Sequence, residues 1–220
     1  MKTNYQLISD SIISSLEGQR PKLLLHCCCA PCSTYVLEYL CRYFDITVYV
    51  FNPNIWPEEE FYKRRSEQER LLKEMFPSGD VGFIAEEHLS RLFYEAVKGL
   101  ENTGERGQRC YECYKLRLRY TADTARRLGF DFFTTTLSIS PLKNADWLNE
   151  IGRELEGEGL RYFYSDFKKR EGFKRSTELC QKYCIYRQNY CGCIFSAREA
   201  EERERRKLYG EKVDQNDRKA

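Results

Sequence analysis

The sequence predicts an α/β fold: a parallel sheet flanked by helices, followed by a cysteine-rich, mainly helical C-terminal part. Three observations carry this. Short apolar or β-branched runs alternate with longer stretches of helical period, the pattern of a parallel sheet covered on both faces. The first run, Leu23-Leu24-Leu25, feeds directly into His26-Cys27-Cys28-Cys29-Ala30-Pro31-Cys32, and α/β proteins place their sites outside the carboxyl ends of strands. From Ser165 the alternation stops, and Cys180, Cys184, Cys191 and Cys193 follow in close succession.

Taken in order, Leu7, Ile8, Ile12, Ile13 and Leu16 have a helical period across residues 4–17. Residues 23–25 read as a buried strand, and Pro31 suits the first turn of a helix that carries Val36, Leu37, Leu40 and Phe44 inward. Residues 46–51 form a second strand. It runs into Asn52-Pro53-Asn54-Ile55-Trp56-Pro57, a turn-rich loop able to reach over the first strand's end. A charged helix over 58–76, a strand over 81–85 and a helix over 89–100 come next. The polar stretch 101–109, with two glycines, is expected to be a mobile loop. Helix 111–128, strand 131–136 and a helix over 141–155 complete the alternation, with no internal repeat. The expected organisation is an α/β metal-binding core over 1–164 and a cysteine-rich subdomain over 165–196 packed on it. A charged segment over 197–220 is read as a solvated helix fraying into disorder.

Composition narrows the function classes. With 36 Lys+Arg against 34 Asp+Glu the charge is +2, which argues against a strongly basic nucleic-acid binder but leaves room for a local basic face. The 16 Tyr and 13 Phe argue against extensive disorder. No apolar run approaches the roughly 20 residues of a membrane span, and the N-terminus lacks the apolar stretch of a secretory signal. The expectation is a cytoplasmic protein without a membrane partner. Thiols stay reduced there, so clustered cysteines bind metal or cycle between redox states.

Each cysteine group admits defined readings. Cys28 and Cys29, from a strand-end loop, are able to converge with Cys110 and Cys113 of a Cys-x-x-Cys at a helix start. Four thiolates suit a structural zinc or an iron–sulfur cluster, and the strand-end position favours a working cluster. Cys27 is either a small core hydrophobe or a ligand. Cys32 opens a helix, whose dipole favours thiolate, and is a ligand for a second ion or a reactive thiol. Cys41 reads as packing. Cys191-Gly192-Cys193 would close a small, strained and easily reduced disulfide ring, fit to deliver two electrons; the alternatives are two metal ligands or two inert thiols. Cys180 and Cys184, four apart, would share a helix face as packing or as a secondary thiol pair. His26 is a buried, hydrogen-bonded ring or a proton donor, and His88 a surface or capping residue. Asn52, Asn54, Lys143 and Asn144 lie at strand ends, where a substrate pocket forms. Lys168, Lys169, Arg170, Lys174 and Arg175 surround Phe167 and Phe173, either a grip on an RNA backbone with stacked bases or a solvated loop.

Five segments together carry a resemblance: His-Cys-Cys-Cys-Ala-Pro-Cys-Ser, Phe-Asn-Pro-Asn-Ile, Arg-Cys-Tyr-Glu-Cys-Tyr, Thr-Thr-Thr-Leu-Ser-Ile-Ser-Pro-Leu-Lys-Asn and Tyr-Arg-Gln-Asn-Tyr-Cys-Gly-Cys-Ile-Phe-Ser. In that order, across residues 20–196, they resemble the cobalamin-independent epoxyqueuosine reductase family, QueH. The resemblance implies a Rossmann-like fold of the adenine-nucleotide-α-hydrolase-like (HUP) type. It implies reduction of epoxyqueuosine to queuosine at the wobble position of a tRNA anticodon, a [4Fe–4S] cluster, an additional mononuclear iron, and an electron donor it does not identify. Cys28, Cys29, Cys110 and Cys113 would hold the cluster and Cys191 with Cys193 would be the redox-active pair. Cys27, Cys32 or Asp131 would serve the second iron, and His26 or a bound water would supply protons.

Two rivals remain at this level. A cluster-dependent tRNA thiolation enzyme needs a glycine- and serine-rich phosphate loop after the first strand, where this chain has His-Cys-Cys-Cys-Ala-Pro-Cys and no glycine. A zinc-stapled tRNA-binding module would be colourless, with a redox-silent Cys191 and Cys193.

Overall fold

The structure, a computed structural model, describes residues 3–217. The chain runs α1 (Tyr5–Ser15), β1 (Lys22–His26), α2 (Ala30–Leu40), β2 (Asp45–Val50), α3 (Glu58–Met75), β3 (Gly82–Ala85) and α4 (Ser90–Ala96). It continues with α5 (Gln108–Leu128), β4 (Phe132–Thr135), a 3-10 turn (Thr136–Ile139), α6 (Ala145–Glu154), β5 (Arg161–Tyr162), α7 (Gly172–Lys182) and α8 (Ile194–Asp217). The five strands form one sheet in the order β3-β2-β1-β4-β5, every pair parallel. That order matches the Rossmann-like arrangement and is consistent with the HUP-type expectation.

Period two explains the continuous apolar run of β1. Leu23 and Leu25 face a core closed by Ile12 of α1, Val36, Leu37 and Leu40 of α2, and Phe61 and Leu72 of α3. Leu24 faces the opposite core, with Leu118, Ala122 and Ala125 of α5 and Leu148 and Ile151 of α6. All three leucines are fully buried, so each contributes roughly 1.5–3 kcal/mol of transfer free energy. A half-solvated strand would have alternated; this one has no wet face.

Where sequence and structure part, local causes are visible. β5 pairs through two positions only, Phe132↔Arg161 and Phe133↔Tyr162, too short a run to show a period. α6 starts at Ala145 because Asn144 caps it, its Oδ1 accepting from the amides of Asp146 at 3.0 Å and Trp147 at 3.3 Å. α5 starts at Gln108, so Cys110 and Cys113 both lie in its first turns. The loop before it is tied down rather than mobile: the buried Arg109 donates to the carbonyls of Glu101 and Thr103, pairs with Glu199 of α8 at 3.1 Å and lies over the Phe195 ring.

The basic stretch after Ser165 is also more ordered than a solvated loop. Phe167 enters the first core, where it cannot stack on a base, and the residues from Gly172 form α7, which packs on α2. α7 ends before Cys184, which takes a left-handed φ of 48° and is exposed, while Cys180 is buried. The two thiols therefore point apart. Among the described residues no helix is long and apolar enough to cross a membrane.

Candidate active site

β1 sits where the sheet's connections reverse: β2 and β4 flank it, with His26 registered against Tyr49 on one side and Thr135 on the other. The crevice beyond this point is where open α/β sheets bind ligands. The chain spends its cysteines there. Cys27 ends the extended run, its amide donating to the Tyr49 carbonyl at 2.9 Å. Its side chain turns into the core with Val50, Ile55 and Phe61. Cys29 is the extended N-cap of α2 and Cys32 lies one turn on, so their sulfurs meet at 3.1 Å, while the Cys28 and Cys29 sulfurs lie 3.5 Å apart. All three sulfurs lie within 4.8 Å of one another.

Three crowded, buried thiols cannot all ionise. Hydrogen bonds from Cys29 and then Cys32, aided by the Arg117 charge, hold Cys28 well below the usual thiol range. The same contacts push Cys29, beside the Cys28 sulfur, up to about 12 and raise Cys32 well above the usual thiol range.

Arg117 links this trio to the rest of the site. It is 1 % exposed and donates through Nε to His26 Nε2 at 3.3 Å and through Nη2 to Asn52 Oδ1 at 2.6 Å, with Nη1 lying 4.0 Å from Cys113 Sγ. These contacts are a ring nitrogen, an amide oxygen and a sulfur, so its charge is balanced by thiols rather than by a carboxylate. His26 Nε2 faces both Arg117 Nε at 3.3 Å, an obligate donor, and the Phe51 carbonyl at 3.2 Å, an obligate acceptor, while Nδ1 lies 2.8 Å from Thr135 Oγ1. Burial and then the Arg117 charge push His26 down to about 3. The ring is fully buried and engaged at both nitrogens, a brace for Arg117.

The second thiol group comes from α5 and the turn before α8. Cys113 and Cys193 are buried in one apolar cluster with Phe93 and Val97. Burial pushes Cys113 up to about 12 and also raises Cys110. The Cys191-Gly192-Cys193 turn is clamped from outside: Arg64 Nη1 donates to the Cys191 carbonyl at 2.9 Å, and the Trp56 amide to the Gly192 carbonyl at 2.8 Å. Gly192 has φ +150°, and a Cβ there would lie 3.0 Å from Asn54 Nδ2 and 3.3 Å from Arg64 Nη1. Lys143 Nζ lies 3.0 Å from Cys191 Sγ and 3.6 Å from Glu105 Oε1. Burial opposes its charge, but the Cys191 sulfur, with Tyr114 and Glu105, more than offsets that and holds Lys143 well above the ordinary lysine range.

One cavity of about 400 Å³ joins the two groups. Cys28, Cys29, Cys32, Arg117, Lys143 and Cys191 line it alongside Leu137, Leu142 and Tyr190, and the exposed Phe173, Arg187 and Arg203 also border it.

The remaining expected site residues are placed differently. Asn52 and Asn54 are buried: Asn52 donates to the Cys27 carbonyl at 2.9 Å and accepts from Arg117, and Asn54 packs against Gly192. Both position the site from behind. Asn144 is the α6 cap and lines a separate polar hollow with Lys143. Asp131 precedes β4 at the amino end of the sheet, where its Oδ2 accepts from the Lys22 amide at 2.8 Å. A strand's length, roughly 13 Å, separates it from the cysteines, so it cannot share an ion with them. Lys174 pairs with Glu171 at 3.4 Å, and Arg175 grips Glu38 at 2.7 Å and Glu178 at 3.1 Å. His88 is an interior brace, its Nε2 2.8 Å from the Ile55 carbonyl and its ring stacked on Phe61.

Arg117 and Arg64 carry much of the geometry, yet neither was singled out by sequence. A signal existed: Arg117 falls on the buried stripe of Cys113, Tyr114, Leu118 and Thr121, and Arg64 on that of Phe61, Gln68 and Leu71. A charge on an apolar stripe needs a partner inside the fold.

Comparison with known proteins agrees with this arrangement. A family model described as epoxyqueuosine reductase QueH matches residues 23–199. A relative of that description from Staphylococcus epidermidis is 42% identical over 203 residues, covering 89% of this chain and 85% of its own length. One from Streptococcus pyogenes is 41% identical over 202 residues, covering 90% and 79%. One from Thermotoga maritima is 35% identical over 182 residues, covering 82% and 93%.

Proposed function

The chain belongs to the epoxyqueuosine reductase QueH family, and from that premise we propose how its residues carry out the reduction of epoxyqueuosine in tRNA. It is an oxidoreductase of queuosine biosynthesis. The observation that carries the mechanism is the single cavity with a crowded thiol trio on one wall and a lysine-held cysteine on the other.

The donor chemistry fits a soft metal. The trio packs three sulfurs within 4.8 Å, and soft thiolates select iron–sulfur clusters or zinc over hard ions. Cys28 and Cys29, with Cys110 and Cys113 of the first turns of α5, would hold a [4Fe–4S] cluster, and Cys32 is the thiol left for an additional iron. When bound, such a centre relays electrons and, with an open position, polarises an oxygen.

The protein's own groups do the rest. Removing an epoxide oxygen to leave an alkene takes two electrons and two protons. A reduced Cys191 and Cys193 pair supplies both: two thiols and the epoxide become a disulfide, the alkene and water. The Lys143 ammonium lies 3.0 Å from the Cys191 sulfur, and Gly192 lets the turn lie against Asn54 and Arg64. Arg117, braced by His26 and Asn52, offsets the charge of Cys28 and the buried thiols. A cavity of about 400 Å³ admits one nucleoside turned out of its stack. Its apolar wall keeps water from the reacting carbons, and Phe173, Arg187 and Arg203 face the adjoining nucleotides.

The test separates the two thiol groups. Anaerobically purified Cys110→Ser is expected to lose iron, sulfide and turnover together, whereas Cys191→Ser keeps iron and sulfide and loses turnover on epoxyqueuosine tRNA. A Cys110→Ser variant fully active after iron removal would sink the metal assignment. Colourless wild-type protein holding stoichiometric zinc would favour the stapled RNA-binding module.

A further inference from the structure

Opening an epoxide needs a proton at the departing oxygen. His26, the one histidine near the thiols, is fully buried and absent from the cavity wall. Arg117 does line the cavity, but a guanidinium does not release its protons. Lys143 is different. Its side chain is 6 % exposed, it lines the cavity, and its Nζ is held between Cys191 Sγ at 3.0 Å and Glu105 Oε1 at 3.6 Å. An ammonium has three protons; two such contacts leave one directed elsewhere.

The groups facing Lys143 come from every element around it. Cys191 belongs to the turn before α8, Tyr114 and Cys110 to α5, and Glu105 to the loop before α5. Arg203 of α8 holds the other Glu105 oxygen at 3.6 Å. The Glu105 carboxylate, 12 % exposed between two cations, therefore fixes the lysine's direction.

We propose that Lys143 is a catalytic proton carrier, passing the proton of the Cys191 thiol to the epoxide oxygen. The inference rests on the reductase reading given above. In the step, one C–O bond breaks as the oxygen takes a proton from Lys143 Nζ, and the second breaks as the alkene forms and the oxygen leaves as water. Cys191 and Cys193 lose two electrons and become a disulfide. The proton released by Cys191 returns Lys143 to its ammonium form, and that released by Cys193 completes the water. Glu105 is a positioning residue.

The experiment is single turnover of anaerobically reduced holoenzyme on an anticodon stem-loop carrying epoxyqueuosine, comparing wild type, Lys143→Gln and Lys143→Arg. Arginine keeps the positive charge beside Cys191 but cannot give up a proton at neutral pH. Both variants are therefore expected to slow by roughly 10²–10⁴-fold, with iron content and stem-loop affinity unchanged. The Lys143→Gln rate should rise as pH falls, because solvent acid replaces the lysine. Recovery of Lys143→Arg to within about threefold of wild type would reduce Lys143 to a charge that steadies Cys191 and overturn the carrier role. An unchanged Lys143→Gln rate would do the same, with the reductase reading intact. Wild-type enzyme that leaves the epoxide untouched would bring down the reductase reading, and the carrier role with it.

Discussion

The two sulfur groups that face each other across the cavity are built on opposite electrostatic plans. At the end of β1, three thiols crowd within 4.8 Å, and the nearby cation, Arg117, is shared with Cys113. At the turn before α8, Cys191 has its own ammonium at 3.0 Å, and Cys193 is shut in an apolar cluster. The first group offers three convergent sulfurs, whereas Cys191 stands against a lysine that Glu105 also holds. On the proposed reading the difference divides the labour, the trio belonging to the metal centre and the Cys191 side to electrons and protons.

Arg117 belongs to both groups, so replacing it should disturb the comparison most. Arg117→Met removes a buried charge and leaves His26 Nε2, Asn52 Oδ1 and the Cys28 thiolate uncompensated. A stability loss of about 3–5 kcal/mol is expected, read by denaturant unfolding under anaerobic conditions. Arg117→Lys keeps the charge without the fork and should lose about 1–3 kcal/mol. Equal stability of Arg117→Met and wild type would mean that the two groups do not share this charge.

Gly192→Ala acts on one group alone. A Cβ at φ +150°, 3.0 Å from Asn54 Nδ2, strains the turn that sets Cys191 against Lys143. The backbone cost is about 1–3 kcal/mol, and single-turnover rate should fall while iron and sulfide contents hold. Loss of metal from this variant would show that the turn supports the trio as well.

How much of this was legible depends on the kind of signal. The sheet was readable because β1, β2 and β4 are dry on both faces and leave continuous apolar runs, and because Pro31 marks the α2 start. The two-residue β5 left no period to read. The cysteine groups were visible as motifs, but which sulfurs meet was not. Cys27 and Cys28 are neighbours in the chain, and only the strand's alternation sends one into the core and the other to the cavity. The charged side chains were the least legible. Lys143 and Cys191 are 48 positions apart, and Arg117 and His26 are 91 apart. No local spacing encodes those meetings. The same limit made the run around Lys174 and Arg175 look like a free basic face, because the acids that neutralise it, Glu38 above all, come from elsewhere in the chain.

That last contrast gives the smallest and most discriminating prediction, one that compares the cavity rim with the face beside it. Arg187 is exposed and borders the cavity, so its charge is available to a phosphate of the bound RNA. Arg175 is held by Glu38 through both guanidinium ends and by Glu178, so releasing it for a phosphate would cost those pairs first. Arg187→Ala should weaken binding of the tRNA anticodon stem-loop and lower the slope of log affinity against log salt by about one. Arg175→Ala should leave that slope nearly unchanged, with its effect confined to the docking of α7 on α2. Titration of both variants across a salt series decides the matter. A slope lost with Arg175 and kept with Arg187 would move the RNA contact from the Arg187 side of the cavity mouth to the α7 face.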